Sequence, residues 1–339
     1  MKKLLYTSTI FFLISCSQVP GIFVGKGTTG YIDEVGINAE FNKPTGLCLD
    51  DSGNLFVADS KNKLIRKVTP EGKVSTFAGV QGDNTVLGYP FDCAFDSKGN
   101  LYISNDGEPS VINKVTPDGK VSVFAGGGDI RYNLPKEGIP ATEINISSSK
   151  GIAIDSKDNI YVLFGNSLMP VAVAKITQDS KAFDFSSDII KGEIYYFITI
   201  DKEKDNFYFV NVPSPFPTNL CKISLTTKEL KYLPVNNNSM FEKPFWKTFG
   251  KYVDDYDSYR TFGSMTLDKK GNIYIVNDFN PSGILKILKD ETTVNVITEL
   301  NENDRDVITG FTDLAIDDKR NILYFSNPTK NKIYKINLK

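Results

Sequence analysis

The chain has 339 residues, with 39 Lys and Arg against 41 Asp and Glu, a formal charge of −2, 40% hydrophobic residues and 24% charged residues. This is the composition of a folded body, and without a basic excess it lacks the electrostatic footprint of a nucleic-acid binder. There is no histidine, which removes Ser-His-Asp and Cys-His catalysis, histidine metal centres and histidine pH switches together.

The first sixteen residues read MKKLLYTSTIFFLISC. Lys2 and Lys3 form a positive start and an apolar run to Ile14 follows, the order of a secretory signal. The run is too short to cross a bilayer as a helix. Its end, Leu13-Ile14-Ser15-Cys16, resembles the bacterial lipobox, which implies cleavage before Cys16 and lipidation of its thiol. An ordinary signal with an incidental cysteine is the plainer alternative. The expected organisation is a signal peptide over 1–15, a lipidated cysteine and short tether over 16–20, and one folded body over 21–339. Acyl chains contribute about 0.8 kcal/mol per buried methylene. The bilayer is therefore the first expected partner, and the bacterial cell envelope the expected location, at the outer membrane if the cell is diderm.

The body repeats itself. Residues 41–79 read FNKPTGLCLDDSGNLFVADSKNKLIRKVTPEGKVSTFAG, and residues 89–126 read YPFDCAFDSKGNLYISNDGEPSVINKVTPDGKVSVFAG. Weaker copies begin near Gly151, Phe197, Ser264 and Asp313. Six anchor aspartates result: Asp50, Asp96, Asp155, Asp201, Asp268 and Asp317, spaced by 46, 59, 46, 67 and 49 residues. Each is followed by an asparagine (Asn54, Asn100, Asn159, Asn206, Asn272, Asn321) and then an aromatic residue (Phe56, Tyr102, Tyr161, Tyr208, Tyr274, Tyr324). Apolar residues alternate before the Asp and after the Asn, so each copy starts as a β-hairpin with a polar turn in which the carboxylate accepts backbone N–H bonds. One aspartate per turn in every copy is architecture, not a metal site. Third strands are marked by Lys67-Val68-Thr69-Pro70 and its counterparts, and a fourth, such as Val74 to Gly79, follows in most copies. Four antiparallel strands per unit at this period predict an all-β fold, a six-bladed β-propeller.

Pro44-Thr45-Gly46-Leu47, Asp50-Asp51-Ser52-Gly53-Asn54, Val57-Ala58-Asp59 and Phe77-Ala78-Gly79 resemble the NHL-repeat family. The resemblance covers nearly the whole body and implies a fold, not a reaction. The sixth copy stops after its third strand, whereas Gly21-Ile22-Phe23-Val24-Gly25 resembles a closing fourth strand. The N-terminal strand is therefore expected to complete the last blade and cover its open edge. In that geometry Cys16 lies at the bottom of the ring on a leash under roughly 20 Å long, with the top face pointing away from the membrane.

Three cysteines remain beyond Cys16. Cys48 and Cys93 sit one position out of register between copies, which argues against a bridge, and Cys221 reads as a buried small hydrophobe. The Gly-rich loop Gly127 to Ser149 lacks a P-loop lysine and reads as a flexible turn. A second long loop, 236–262, holds the single tryptophan, Trp246, with Tyr252, Tyr256, Tyr259 and Arg260 among interleaved charges. Such residues suit a sugar, peptide or protein surface, or a lid packed on its own aromatics. The ends of the second strands supply Asp59, Asn105, Asn211, Asn277 and Asn327, with Phe164 departing in copy three. They form either a polar mouth or ordinary turn hydrogen bonds.

These features favour a membrane-anchored binding module whose top face takes a protein, peptide or glycan. Amidating lyases of NHL type use histidine-bound zinc, which this chain cannot supply. Lactonase-like propellers hold a divalent cation on carboxylates and asparagines, so a hydrolase is the alternative. Asp59, Asn105, Asn211 and Asn277 would then offer oxygen ligands to a calcium ion in the central depression. A purely structural envelope protein is the third alternative. No catalytic residue, metal ligand or resident cofactor is assigned from the sequence.

Overall fold

In this computed structural model, residues 20–83, 86–105, 107, 110–131, 134–149, 151–165, 172–185, 195–211, 219–233, 264–277, 283–288, 293–297 and 313–338 are described. Strand β1 (Gly21–Val24) comes first. Blade 1 is β2 (Pro44–Leu49), β3 (Leu55–Asp59), β4 (Leu64–Val68) and β5 (Val74–Ala78). Blade 2 is β6 (Pro90–Phe95), β7 (Leu101–Asn105), β8 (Val111–Val115) and β9 (Val121–Gly126). Blade 3 takes a short β10 (Ile139–Pro140) with β11 (Gly151–Ile154), β12 (Ile160–Phe164), β13 (Ala172–Ile176) and β14 (Lys181–Asp184). Blade 4 is β15 (Tyr195–Asp201), β16 (Asn206–Asn211), β17 (Asn219–Ser224) and β18 (Leu230–Leu233). Blade 5 is β19 (Met265–Leu267), β20 (Ile273–Asn277), β21 (Gly283–Ile287) and β22 (Thr293–Ile297). Blade 6 is β23 (Leu314–Asp317), β24 (Ile322–Asn327) and β25 (Lys332–Asn337), completed by β1.

All blades are antiparallel meanders, and their first strands, β2, β6, β11, β15, β19 and β23, touch in a closed circle around the axis. Six apolar clusters fill the six seams between neighbouring blades. The ring closes as the sequence predicts. Strand β1 pairs antiparallel with β25, placing Gly21 opposite Lys335. Phe23 and Val24 are buried with Leu47, Val57, Ala315 and Tyr324 in the seam between blades 6 and 1.

The anchor aspartates act as turn residues. Asp96 Oδ1 accepts the N–H of Lys98 (2.9 Å) and of Asn100 (2.8 Å), and Oδ2 accepts Asn100 Nδ2 (2.8 Å). Asp50–Asn54 and Asp155–Asn159 repeat all three bonds. Asp201 and Asp317 instead bind Lys204 Nζ and Arg320 Nη1. The turn needs one left-handed residue. Gly53, Gly99 and Gly271 supply it at φ 81°, 79° and 82°, and Asp158, Asp205 and Asn321 at 62°, 49° and 53°. Glycine adopts this region at least cost, and Asp and Asn more readily than other residues.

The third-strand lysine also gains a reason. Lys67, Lys114, Lys175, Lys222 and Lys286 stand directly across from Phe56, Tyr102, Tyr161, Tyr208 and Tyr274. Their Nζ atoms lie 5.0–6.0 Å from the ring centroids, within cation–π range.

Two expectations are corrected. Cys48 and Cys93 form a disulfide between blades 1 and 2, with Cα atoms 5.9 Å apart. Blades pack face against face, so a seam joins opposite faces of equivalent strands. Leu47 and Leu49 face blade 6, whereas Cys48 packs with Cys93 and Phe95 of blade 2. A one-position offset is therefore what brings two inner-strand side chains together. Cys221 is buried as a thiol, as expected. The loop 127–149 is not a flexible turn. Ile139, Ala141, Ile144 and Ile146 are buried in the seam between blades 2 and 3. Gly126 N–H and Gly128 N–H donate to Ala141 O and Ile144 O. Within this loop, Ile139–Pro140 pairs with the outer edge of blade 3 as a fifth strand.

Candidate functional site at the top of the ring

The top face is the one where second strands end and first strands begin. Of the second-strand ends, Asp59 is fully buried and committed. It accepts the N–H of Asn42 (2.7 Å), Asn62 Nδ2 (2.8 Å) and Arg66 Nη1 (2.9 Å). Burial pushes its carboxyl up to about 6 against the pull of those donors. Arg66, also fully buried, binds Asp33 and the carbonyls of Ile32 and Glu40, and so pins the N-terminal segment over blade 1. With a guanidinium already on it, Asp59 does not fit a calcium ligand set.

Asn327 Oδ1 accepts the N–H groups of Thr329 and Lys330 and the Thr329 hydroxyl, which is turn chemistry. Asn105 donates through Nδ2 to Val111 O (3.1 Å) and Asn113 Oδ1 (2.7 Å), and its buried Oδ1 has no partner among the described residues. Asn211 and Asn277 end β16 and β20 as predicted, opposite Tyr195 and Gly283; their side chains lie outside the description. Cys16, Trp246, Tyr252, Tyr256, Tyr259 and Arg260 lie outside the described residues.

The structure brings together a pair that the sequence reading missed. Four residues before each anchor aspartate, where the inner strand enters from the top, the blades carry Gly46, Asp92, Gly151, Phe197, Ser264 and Asp313. The Asp92 and Asp313 carboxyls come together over the Gly46–Leu47 backbone of blade 1. Register shifts near the tops of β2 and β6 interrupt the ladder there, and such bulges re-aim backbone groups. Inner-strand N–H groups of four blades seat the carboxyls. Asp92 Oδ1 accepts Cys93 N–H (2.7 Å) and Oδ2 accepts Ile152 N–H (2.9 Å). Asp313 Oδ1 accepts Leu314 N–H (2.8 Å) and Oδ2 accepts Leu47 N–H (2.6 Å), with the Ser264 side chain as a further partner.

Gly46 makes this approach workable. A Cβ there would lie 2.5 Å from Asp92 Cα and 3.0 Å from its Oδ1. Asp313 is 8% exposed and Asp92 is half-buried.

Desolvation raises both groups above the ordinary carboxylate range, and for Asp92 the neighbouring Asp313 charge adds to it. Two carboxyls this close cannot both ionise cheaply, so one holds a proton and donates it to the other. The pair can thus donate and accept hydrogen bonds at one point. The repeat alignment carried the signal: an acidic residue in two copies at a position occupied by glycine or serine in three others.

An NHL repeat family model matches residues 41–68. NHL repeat-containing protein 2 of Bos taurus is 39% identical over 82 residues, which is 23% of this chain and 11% of that protein. The Homo sapiens protein of the same name is 40% identical over the same length. The chain therefore spans about a tenth of the length of these curated relatives.

Among solved structures, a gluconolactonase of Xanthomonas campestris superposes with a TM-score of 0.59 at 9% identity, over 88% of this chain and 87% of that one. A streptogramin B lyase superposes with a TM-score of 0.55 at 15% identity, over 88% and 97%. A protein of unknown function from Bacteroides thetaiotaomicron gives 0.62 at 13% identity, over 94% and 75%. At such identities these likenesses show the fold alone. The chain is a six-bladed β-propeller carrying the NHL repeat, with the family match in its first blade.

Proposed function

We propose that the protein is a cell-envelope lipoprotein, held to the membrane through acylated Cys16, whose propeller offers its top mouth to a protein, peptide or glycan. One observation carries the reading. Four of the six lower turns are built alike, whereas the upper inner-strand position varies among the blades and brings two carboxyls together. Repetition is what a scaffold needs, and a local departure from it at a mouth is what recognition needs. A carboxylic acid beside a carboxylate both donates and accepts, which suits hydroxyl- and amide-bearing ligands. The aromatic residues Trp246, Tyr252, Tyr256 and Tyr259, with Arg260, belong to this proposal as a second contact surface.

The test is binding of soluble residues 17–339 to glycan and peptide arrays, followed by calorimetry on the best ligand. Asp313→Asn and Asp92→Ala are expected to weaken binding at least tenfold while the fold survives. Unchanged affinity in both would sink the mouth as the site.

A second reading has its own support. A carboxyl pair sharing one proton contains a general acid and a general base in one place, and fold neighbours include a gluconolactonase and a streptogramin B lyase. It predicts turnover of a lactone or cyclic ester by purified protein with added calcium, lost in Asp92→Asn. No turnover across a lactone and phosphoester screen would leave binding alone.

A further inference from the structure

We propose that Asp92 and Asp313 form a proton-operated clasp that ties the tops of the inner strands together, so that those strand tops part as pH rises. The argument is geometric. The two carboxyls meet over Gly46 of blade 1, joining blade 2 to blade 6 across the blade between them. Asp92 also holds Ile152 N–H of blade 3, and Asp313 holds Leu47 N–H of blade 1 and the Ser264 side chain of blade 5. Five of the six blades are thereby tied at one point.

The groups that bond to the pair from the neighbouring strands are neutral. Blade 1 presents Gly46 and Leu47 N–H, and blade 2 presents Cys93 N–H and Ser104, whose hydroxyl accepts Asp92 N–H. Blade 3 presents Gly151 and Ile152 N–H, blade 5 presents Ser264, and blade 6 presents Leu314 N–H. The strongest influences on the two carboxyls include no Lys or Arg.

The chemistry balances simply. In the closed form one O–H on Asp92 is donated to the Asp313 carboxylate. When that proton leaves to solvent, no donor remains between two carboxylates, and their repulsion is relieved by parting of the strand tops. The sign follows. Both groups titrate higher in the folded chain than in the unfolded chain, where Asp ionises near about 4. The clasp therefore contributes stability that is full below that pH and is lost as pH rises through about 6, the value to which Asp313 is pushed, and beyond.

The experiment compares chemical denaturation of the full chain and of D92N from pH 5 to pH 8. An Asn amide supplies a permanent donor to Asp313. The wild type is expected to lose about tenfold or more in its folding equilibrium constant over this range, one raised unit being a factor of ten. D92N should lose distinctly less, its residual decline belonging to Asp59. A second measurement needs no variant: carbon-detected NMR of the Asp carboxyls should show two resonances titrating together, at least one above the normal range. Parallel pH slopes for wild type and D92N, or two ordinary titrations near 4, would overturn the clasp. Array binding reports separately: a clasp that titrates while no ligand is retained on any array keeps this inference and removes the binding function.

Discussion

The lower turns and the upper mouth of this ring start from the same repeat and end differently. At the bottom, Asp50, Asp96, Asp155 and Asp268 each fold the turn onto an asparagine four residues on, with side-chain bonds of 2.7–2.8 Å. At the top, second-strand ends hold a buried ion pair in blade 1 and, in blade 2, an amide whose oxygen has no partner among the described residues, while inner-strand carboxyls of blades 2 and 6 meet over blade 1. A local motif needs only its own chain and can repeat without cost. The mouth's groups are satisfied across blades, so each can differ, and each depends on neighbours far away in sequence.

The comparison breaks hardest at Asp59. Asp59→Ala leaves the fully buried Arg66 with Asp33 as its only described ion-pair partner. Breaking such a pair costs about 3–5 kcal/mol, measurable by urea denaturation. A loss below about 1 kcal/mol would show that the top is no more interdependent than the bottom. Next comes the disulfide, which closes 45 residues of chain between blades 1 and 2. The double variant Cys48→Ala, Cys93→Ala is expected to cost about 2–4 kcal/mol, and mass spectrometry of the purified protein should find the two residues linked. Gly46→Ala follows. Its Cβ meets Asp92 Cα and Phe91 O, which are backbone and cannot swing aside. Overpacking of this kind costs about 1–3 kcal/mol, and it should part the carboxyls and flatten the pH dependence of stability.

The scaffold was legible in the sequence because it is made of local periodicities. Alternation, the Asp-to-Asn turn and the third-strand lysine recur within each copy, and the missing fourth strand of copy six pointed to β1. The site was less legible for a physical reason. Asp92 and Asp313 are separated by most of the chain and become partners only when six inner strands form a circle with a glycine between them. Comparing copies position by position would have flagged them as odd, but not as neighbours. The Cys48–Cys93 bridge is hidden in the repeat register because a seam joins opposite faces of neighbouring blades, so facing positions are offset by one. Asp59 and Asn327 were correctly placed at strand ends, yet their neighbours Arg66, Asn62 and Thr329 turn them inward to structural work.

The smallest expected effect tests whether the repeat is equal in energy as well as in sequence. Lys114 lies 5.6 Å from the Tyr102 centroid directly across the strand, and Lys114→Met should cost about 0.5–1 kcal/mol. Lys335 of blade 6 is the exception. It stands across from Tyr324, but its Nζ lies 4.7 Å from the Phe23 ring, and Phe23 in turn packs on Tyr324 at 5.1 Å. The same cation that braces a hairpin elsewhere here braces the strand that closes the ring. Lys335→Met should therefore match Lys114→Met in global stability yet raise hydrogen exchange at the β1 amides, which Lys114→Met leaves unchanged. Equal exchange in the two variants would mean that ring closure rests on the apolar seam of Phe23 and Val24 alone.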